Sequence, residues 1–230
     1  MSSHRRKKHR KTGGRLYSLR HILVGLACLA VILTVIVAVS KRGGGDGENI
    51  ADVVQNISEE SIEAHTPDYE VDLLTVNEYS RPGIALEEVN GIVIHYTANP
   101  GTSAQANRDY FEGLKDSHAT KASAHFIVGL EGEIVQCIPT AEIAYASNDR
   151  NSDTLSIECC YENEDGSFND ATYDTVVHLT AWLCAKYGLT SENVIRHYDI
   201  TGKMCPIYYV ENPDAWEQFL EDVDDYLRSM

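Results

Sequence analysis

The stretch Arg196-His197-Tyr198-Asp199-Ile200-Thr201-Gly202-Lys203-Met204-Cys205-Pro206 holds an imidazole, an ammonium and a thiol within ten residues. Neutral imidazole and thiolate both suit a borderline-soft cation such as zinc. A lysine two residues from a thiol lowers its pKa, and the same cation can stabilise a developing oxyanion. Two ligands do not make a zinc site, and a His near a buried Cys is ordinarily structural. Metal chemistry here therefore needs a third ligand from elsewhere in the chain.

His95 is the candidate for that ligand. It ends the β-branched run Gly91-Ile92-Val93-Ile94-His95-Tyr96-Thr97, read as a buried strand, just before the turn Asn99-Pro100-Gly101. A strand end beside a loop is where sites form in α/β sheets; a hydrogen-bonded core histidine is the competing reading. His125 has the same two readings, with the structural one favoured. Three protein ligands and an open fourth position describe a hydrolytic zinc centre rather than a closed structural one. Glu158 adds a proton acceptor. It interrupts the strand Thr154-Leu155-Ser156-Ile157-Glu158-Cys159-Cys160-Tyr161. A carboxylate there costs free energy unless it is used, and burial raises its pKa towards the range of a useful base.

The elements that must position these groups follow from hydrophobic periodicity. Asn193-Val194-Ile195 reads as a short buried strand, after which Gly202 and Pro206 break regular structure, so His197, Lys203 and Cys205 are expected on a loop leaving the core. A helix is predicted from about 104 to 115, capped by Thr102 or Ser103. A hairpin is predicted from 124–129 and 133–138, turning at Leu130-Glu131-Gly132. A second helix is predicted from an Asp170 cap to Tyr187 with Gly188 as its stop, and a third from Pro213 to Leu227. His178 is expected at the surface or in helix packing. The fold class expected is α/β, a central mixed β-sheet flanked by helices.

Charge divides the chain. Residues 1–20 contain eight Lys or Arg and no acid, whereas residues 43–230 hold nine bases and 35 acids. Between them Ile22 to Val39 is apolar apart from Gly25 and Thr34, close to the length that crosses a bilayer. The expected organisation is a basic cytoplasmic tail (1–20), a transmembrane anchor (21–40), a flexible acidic linker (41–70) and a catalytic domain (71–230) outside the membrane by the positive-inside rule. A cleaved signal peptide, with Ala38 and Ser40 at the cleavage site, is the rival; the length of the run favours an uncleaved anchor. The basic tail beside an apolar span is matched to anionic lipid, and the acidic body is a poor partner for nucleic acid. The five body cysteines, Cys137, Cys159, Cys160, Cys184 and Cys205, leave room for up to two disulfides in an oxidising compartment.

Taken together, Ile94-His95-Tyr96-Thr97-Ala98, Ser123-Ala124-His125-Phe126, Ser156-Ile157-Glu158, and Arg196-His197 through Lys203-Met204-Cys205-Pro206 resemble, in order, the motifs of the zinc-dependent N-acetylmuramoyl-L-alanine amidases. That family includes phage amidase lysozymes and peptidoglycan recognition proteins. The resemblance runs from about 75 to 228. It implies one Zn2+ per chain on His95, His197 and Cys205, with Lys203 stabilising the oxyanion. Phage-type members carry a Tyr before the His of the second of these motifs, where this sequence has Ala124. Members without that Tyr use a strand Glu as base, and Glu158 stands at the matching place. Some relatives have Asp as third ligand, where this chain has Cys205. The implied reaction is hydrolysis of the bond between N-acetylmuramic acid and L-alanine in peptidoglycan; the apolar span and basic tail place it, independently, at the cell membrane facing the wall, and a monomer is expected. The rivals are a wall-binding module without activity, a zinc peptidase acting within the stem peptide, and an anchored adhesion or scaffold protein.

Overall fold

The computed structural model describes residues 48–230. The basic tail and the apolar run at 22–39 lie outside the described residues, and no helix among the described residues is long and apolar enough to cross a membrane.

Six strands form one sheet: β1 (Glu70–Val71), β2 (Gly91–Tyr96), β3 (Phe126–Val128), β4 (Ile134–Gln136), β5 (Thr154–Cys159) and β6 (Val194–Arg196), in the order β1-β4-β3-β5-β2-β6. Every pairing is parallel except the β3–β4 hairpin, so the sheet is mixed, as expected. β2 and β5 are neighbouring interior strands, and Ile92, Val93 and Ile94 are fully buried because helices cover both faces. The hairpin turns at Gly132, whose φ of +80° favours glycine; a Cβ there would also lie 2.7 Å from Thr175 Oγ1.

One face of the sheet packs on α4 (Asp170–Tyr187) and α7 (Pro213–Ser229). In α7, Trp216, Phe219, Val223 and Leu227 recur at helical spacing and are buried. In α4, Val176, Val177, Leu179, Thr180, Leu183 and Cys184 are buried, and Gly188 ends the helix in the left-handed conformation. The cap is Asn169, one residue before the expected Asp170; its side chain accepts from Thr172 N–H. The other face carries α3 (Ala104–Ser117), capped by Ser103, over a smaller core of Phe111, Leu114, Ile127 and Val135. On this side the C-terminal ends of β2 and β5 border an open cleft that Phe111 of α3 also lines.

Residues expected to be linker depart from that reading. Ile50–Asn56 (α1) and Glu59–Ala64 (α2) are helices, capped by Asn49 and Ser58. Their polar composition hides a narrow apolar stripe: Val54 is buried, and Ile50, Ile57 and Ile62 pack against the larger core. The segment after β1 is held by α3. Arg108 pairs with Asp72 at 2.9 Å, and Glu112 accepts from Thr75 N–H at 2.9 Å and Thr75 Oγ1 at 2.7 Å. Burial raises the Glu112 pKa, but the Thr75 hydrogen bonds and Lys115 overcome this and hold it at about 2. The native state thus binds this proton less tightly than the unfolded chain, so the contribution is present above pH 4.5 and is lost as pH falls towards 2. Glu112→Ala is expected to cost about 1 kcal/mol at pH 7 and little at pH 2.5, read by urea unfolding at both values.

All five cysteines among the described residues are free, buried thiols, so the disulfides that composition allows are absent there.

Candidate metal centre and cleft

Parallel pairing of β2 with β5 sets His95 directly opposite Glu158. Side chains at paired positions share a face, so both project towards α3, at the strand ends that border the cleft. β6 then delivers the chain to the same edge. His197 opens a one-turn helix, α5 (His197–Thr201), where sequence reading expected a loop. Arg196 fixes this turn: its backbone N–H and guanidinium bind Asp199, and Nη1 donates to Tyr209 O at 2.8 Å. Gly202, at φ +75°, reverses the chain so that Lys203 and Cys205 return to the cleft. A further short helix, α6 (Ile207–Glu211), follows Pro206.

His95, His197 and Cys205 therefore meet, with one ligand atom from each within 4.8 Å of the others. Cys205 Sγ lies 3.8 Å from His95 Nδ1. Zinc bond lengths of about 2.0 Å to nitrogen and 2.3 Å to sulfur put tetrahedral ligand atoms roughly 3.5 Å apart, close to this spacing. The outward nitrogens are occupied. His197 Nε2 donates to Asn148 Oδ1 at 2.9 Å, and His95 Nε2 lies 3.4 Å from Ser147 Oγ. That arrangement turns both Nδ1 atoms inward as acceptors, and the buried His197 Nδ1 has no hydrogen-bond partner. A buried acceptor with no donor is what a cation would satisfy.

The electrostatics agree with the donor set. Burial, then the nearby His197 and Lys203, hold His95 well below its ordinary pKa, so its imidazole is neutral. Burial and Lys203 lower His197 in the same direction. Burial, reinforced by Glu158, pushes the Cys205 thiol up to about 12 against the opposing pull of a Tyr96 backbone hydrogen bond and Lys203. The protein alone does not stabilise that thiolate, whereas a divalent cation would. These residues fit a zinc ion.

Glu158 Oε2 is enclosed and has no hydrogen-bond partner. Burial raises the carboxyl to about 8 even though Lys203 acts to lower it. Lys203 is exposed and lines the same cleft of about 400 Å³, as do Lys121, Tyr145 and Asn148. All five residues singled out from the sequence thus border one cleft.

Two others stand outside it. His125 accepts Ser156 N–H on Nδ1 at 3.0 Å and donates from Nε2 to Glu142 O at 2.8 Å, a structural role. His178 donates to His65 O and stacks on Tyr226. Sequence reading missed Ser147 and Asn148, which cap and open a single 3-10 turn (Asn148–Arg150) in a stretch with no motif. The sole local signal is that Asn148 sits at φ +52°, a conformation Asn tolerates better than most residues. Asn148→Ala is expected to weaken zinc binding about 10–100-fold, measured by competition with a chromogenic chelator.

The N-acetylmuramoyl-L-alanine amidase family model matches residues 85–207. The chain is 39% identical over 165 residues to N-acetylmuramoyl-L-alanine amidase CwlL of Bacillus licheniformis, covering 66% of this chain and 45% of CwlL. It is 37% identical over 167 residues to N-acetylmuramoyl-L-alanine amidase BlyA of Bacillus subtilis (strain 168), covering 64% and 44%. The chain thus spans under half the length of these curated relatives. Among solved structures, the catalytic domain of XlyA superposes with a TM-score of 0.58 at 29% identity, covering 68% of this chain and 99% of that domain.

Proposed function

This chain belongs to the N-acetylmuramoyl-L-alanine amidase family, and on that premise we propose that it is a zinc-dependent hydrolase of the peptidoglycan bond between N-acetylmuramic acid and L-alanine. The observation that carries the reading is the pairing of a three-donor cluster, His95, His197 and Cys205, with the enclosed, unpartnered Glu158 on the adjoining strand. Zinc held by those three residues would supply Lewis acidity and lower the pKa of water.

The chain's own groups do the rest. Glu158, raised by burial, takes the proton of the attacking water and returns it to the leaving amine of L-alanine. Lys203 lies on the exposed side of the cleft and offers a mobile positive charge to the oxygen of the lactyl carbonyl as it becomes an oxyanion. Asn148 and Ser147 hold the two imidazoles in the tautomer that leaves Nδ1 free. Glu158 and His95 stand at paired positions on two strands, which fixes the base beside one of the ligands before reaction.

We further propose that the activity serves turnover or remodelling of the wall at the membrane face. The basic tail and the apolar run at 22–39 support a single-pass anchor with the catalytic domain outside. Incubating the full chain with purified peptidoglycan and titrating new amino groups and new reducing sugar ends tests the reaction class. Amino groups should accumulate without reducing ends; new reducing ends would refute amide hydrolysis.

A further inference from the structure

Residues 48–230 carry 34 acidic and nine basic residues. Such an excess of carboxylates leaves few cations unpaired. Six of the nine bases, Arg81, Arg108, Lys115, Arg150, Arg196 and Arg228, are in ion pairs among the described residues. The other three are Lys121, Lys186 and Lys203. Lys186 rests on the face of Trp182, 4.6 Å from the ring centroid and away from the candidate site. Lys121 and Lys203 both line the cleft, where Glu158 is the only acidic lining residue.

Lys203 is accounted for by the reaction, but Lys121 is not. Its ammonium lies 5.4 Å from the ring centroid of Tyr145, within cation–π range. The two loops that bear this pair are stitched together. Ser123 N–H donates to Tyr145 O at 3.1 Å, and Tyr145 N–H donates to Ser123 Oγ at 2.9 Å. Ala122 N–H, next in sequence to Lys121, donates to Tyr79 O at 3.1 Å. The base of the lysine is therefore fixed while its ammonium keeps its charge free at the mouth of the cleft.

We propose that Lys121 is a specificity-determining residue that receives a free carboxylate of the stem peptide, so that stems with that carboxylate ionised are preferred over amidated ones. The inference rests on the amidase reading, since it assigns the peptide side of the same cleft. A carboxylate fits better than a neutral polar group because an ammonium offers a charge and three donors and no acceptor. Tyr145 holds the ammonium without neutralising it, as a carboxylate partner would.

The test uses the full chain and two matched disaccharide-peptides of the same stem sequence, one with every stem carboxylate free and one with every stem carboxylate converted to the carboxamide. The native chain should cut the carboxylate form with a kcat/KM about three- to tenfold higher, mostly through KM. Raising the salt concentration should shrink that ratio. Lys121→Met should bring the ratio close to one, and Lys121→Arg should keep it above one. If the native chain cuts both compounds equally, or Lys121→Met keeps the preference, the role of Lys121 is overturned while the amidase reading stands. If neither compound is cut at the muramoyl–alanine bond, the amidase reading itself fails.

Discussion

Replacing Cys205 by alanine is expected to remove stoichiometric zinc and to lower peptidoglycan hydrolysis by more than the roughly 10–100-fold that loss of an outer-shell partner costs. With Cys205 gone, two imidazoles remain, and a two-ligand site is too weak to hold zinc against water. The thiol is 2% exposed, so its loss opens a small buried gap rather than a new route for an external ligand. Cys205→Ser is the volume control: it keeps the packing but offers a harder, more weakly binding oxygen. Both variants should retain native circular dichroism, because Cys205 lies on the loop beyond α5 and outside the sheet. Zinc per chain and initial rates are measured together. A variant that bound one zinc and worked at the native rate would remove Cys205 from the ligand set.

Glu158→Gln should lower kcat by about 10²–10⁴-fold, the range spanned by general acid–base groups, while zinc content stays at one per chain. The amide keeps the shape of the carboxyl and cannot exchange the proton. The same substitution has a stability signature in the metal-free protein. The native Glu158 carboxyl titrates near 8 against an ordinary 4.5, so the folded state binds that proton more tightly than the unfolded chain does. Its contribution is therefore greatest below pH 4.5 and falls away as pH rises through about 8. With chelator present, Glu158→Gln should gain stability relative to the native chain between pH 5 and pH 8. An equal difference at both pH values would show that the carboxyl is not titrating as burial requires.

The parts of the site visible in the sequence are those on regular elements. His95 and Glu158 stand out because a strand buried on both faces leaves little room for polar side chains, and each sits where an apolar residue is expected. Their pairing across β2 and β5 then follows from register alone. The Lys203-x-Cys205-Pro206 spacing was equally legible because glycine and proline bracket it. Ser147 and Asn148 were not, because their role arises from where a short turn lands after folding, and a Ser-Asn pair in a turn has many uses. Helix α1 is hidden for a different reason, and of α2 only a short helix at Ser61 to Ala64 is legible. Their acidic, polar composition suggested a linker, and their one-sided stripe of Ile50, Val54 and Ile57 has meaning only against the core that α7 presents. The two one-turn helices around Cys205 are shorter than any hydrophobic period that could reveal them.

Lys121 shows the complementary case. In sequence it is one lysine in a polar loop. It becomes informative only once six other bases are seen to be neutralised by carboxylates and it is not. In a domain this acidic, an unpaired cation beside a cleft narrows the chemistry of what enters.

The most direct test of the account is mass spectrometry of the products released from peptidoglycan by the full chain, as purified, with a zinc chelator, and after zinc is restored. The expected products are stem peptides with a free L-alanine amino terminus and uncut glycan strands, absent with chelator and recovered with zinc. Peptides that begin within the stem, or release that is indifferent to the chelator, would contradict it.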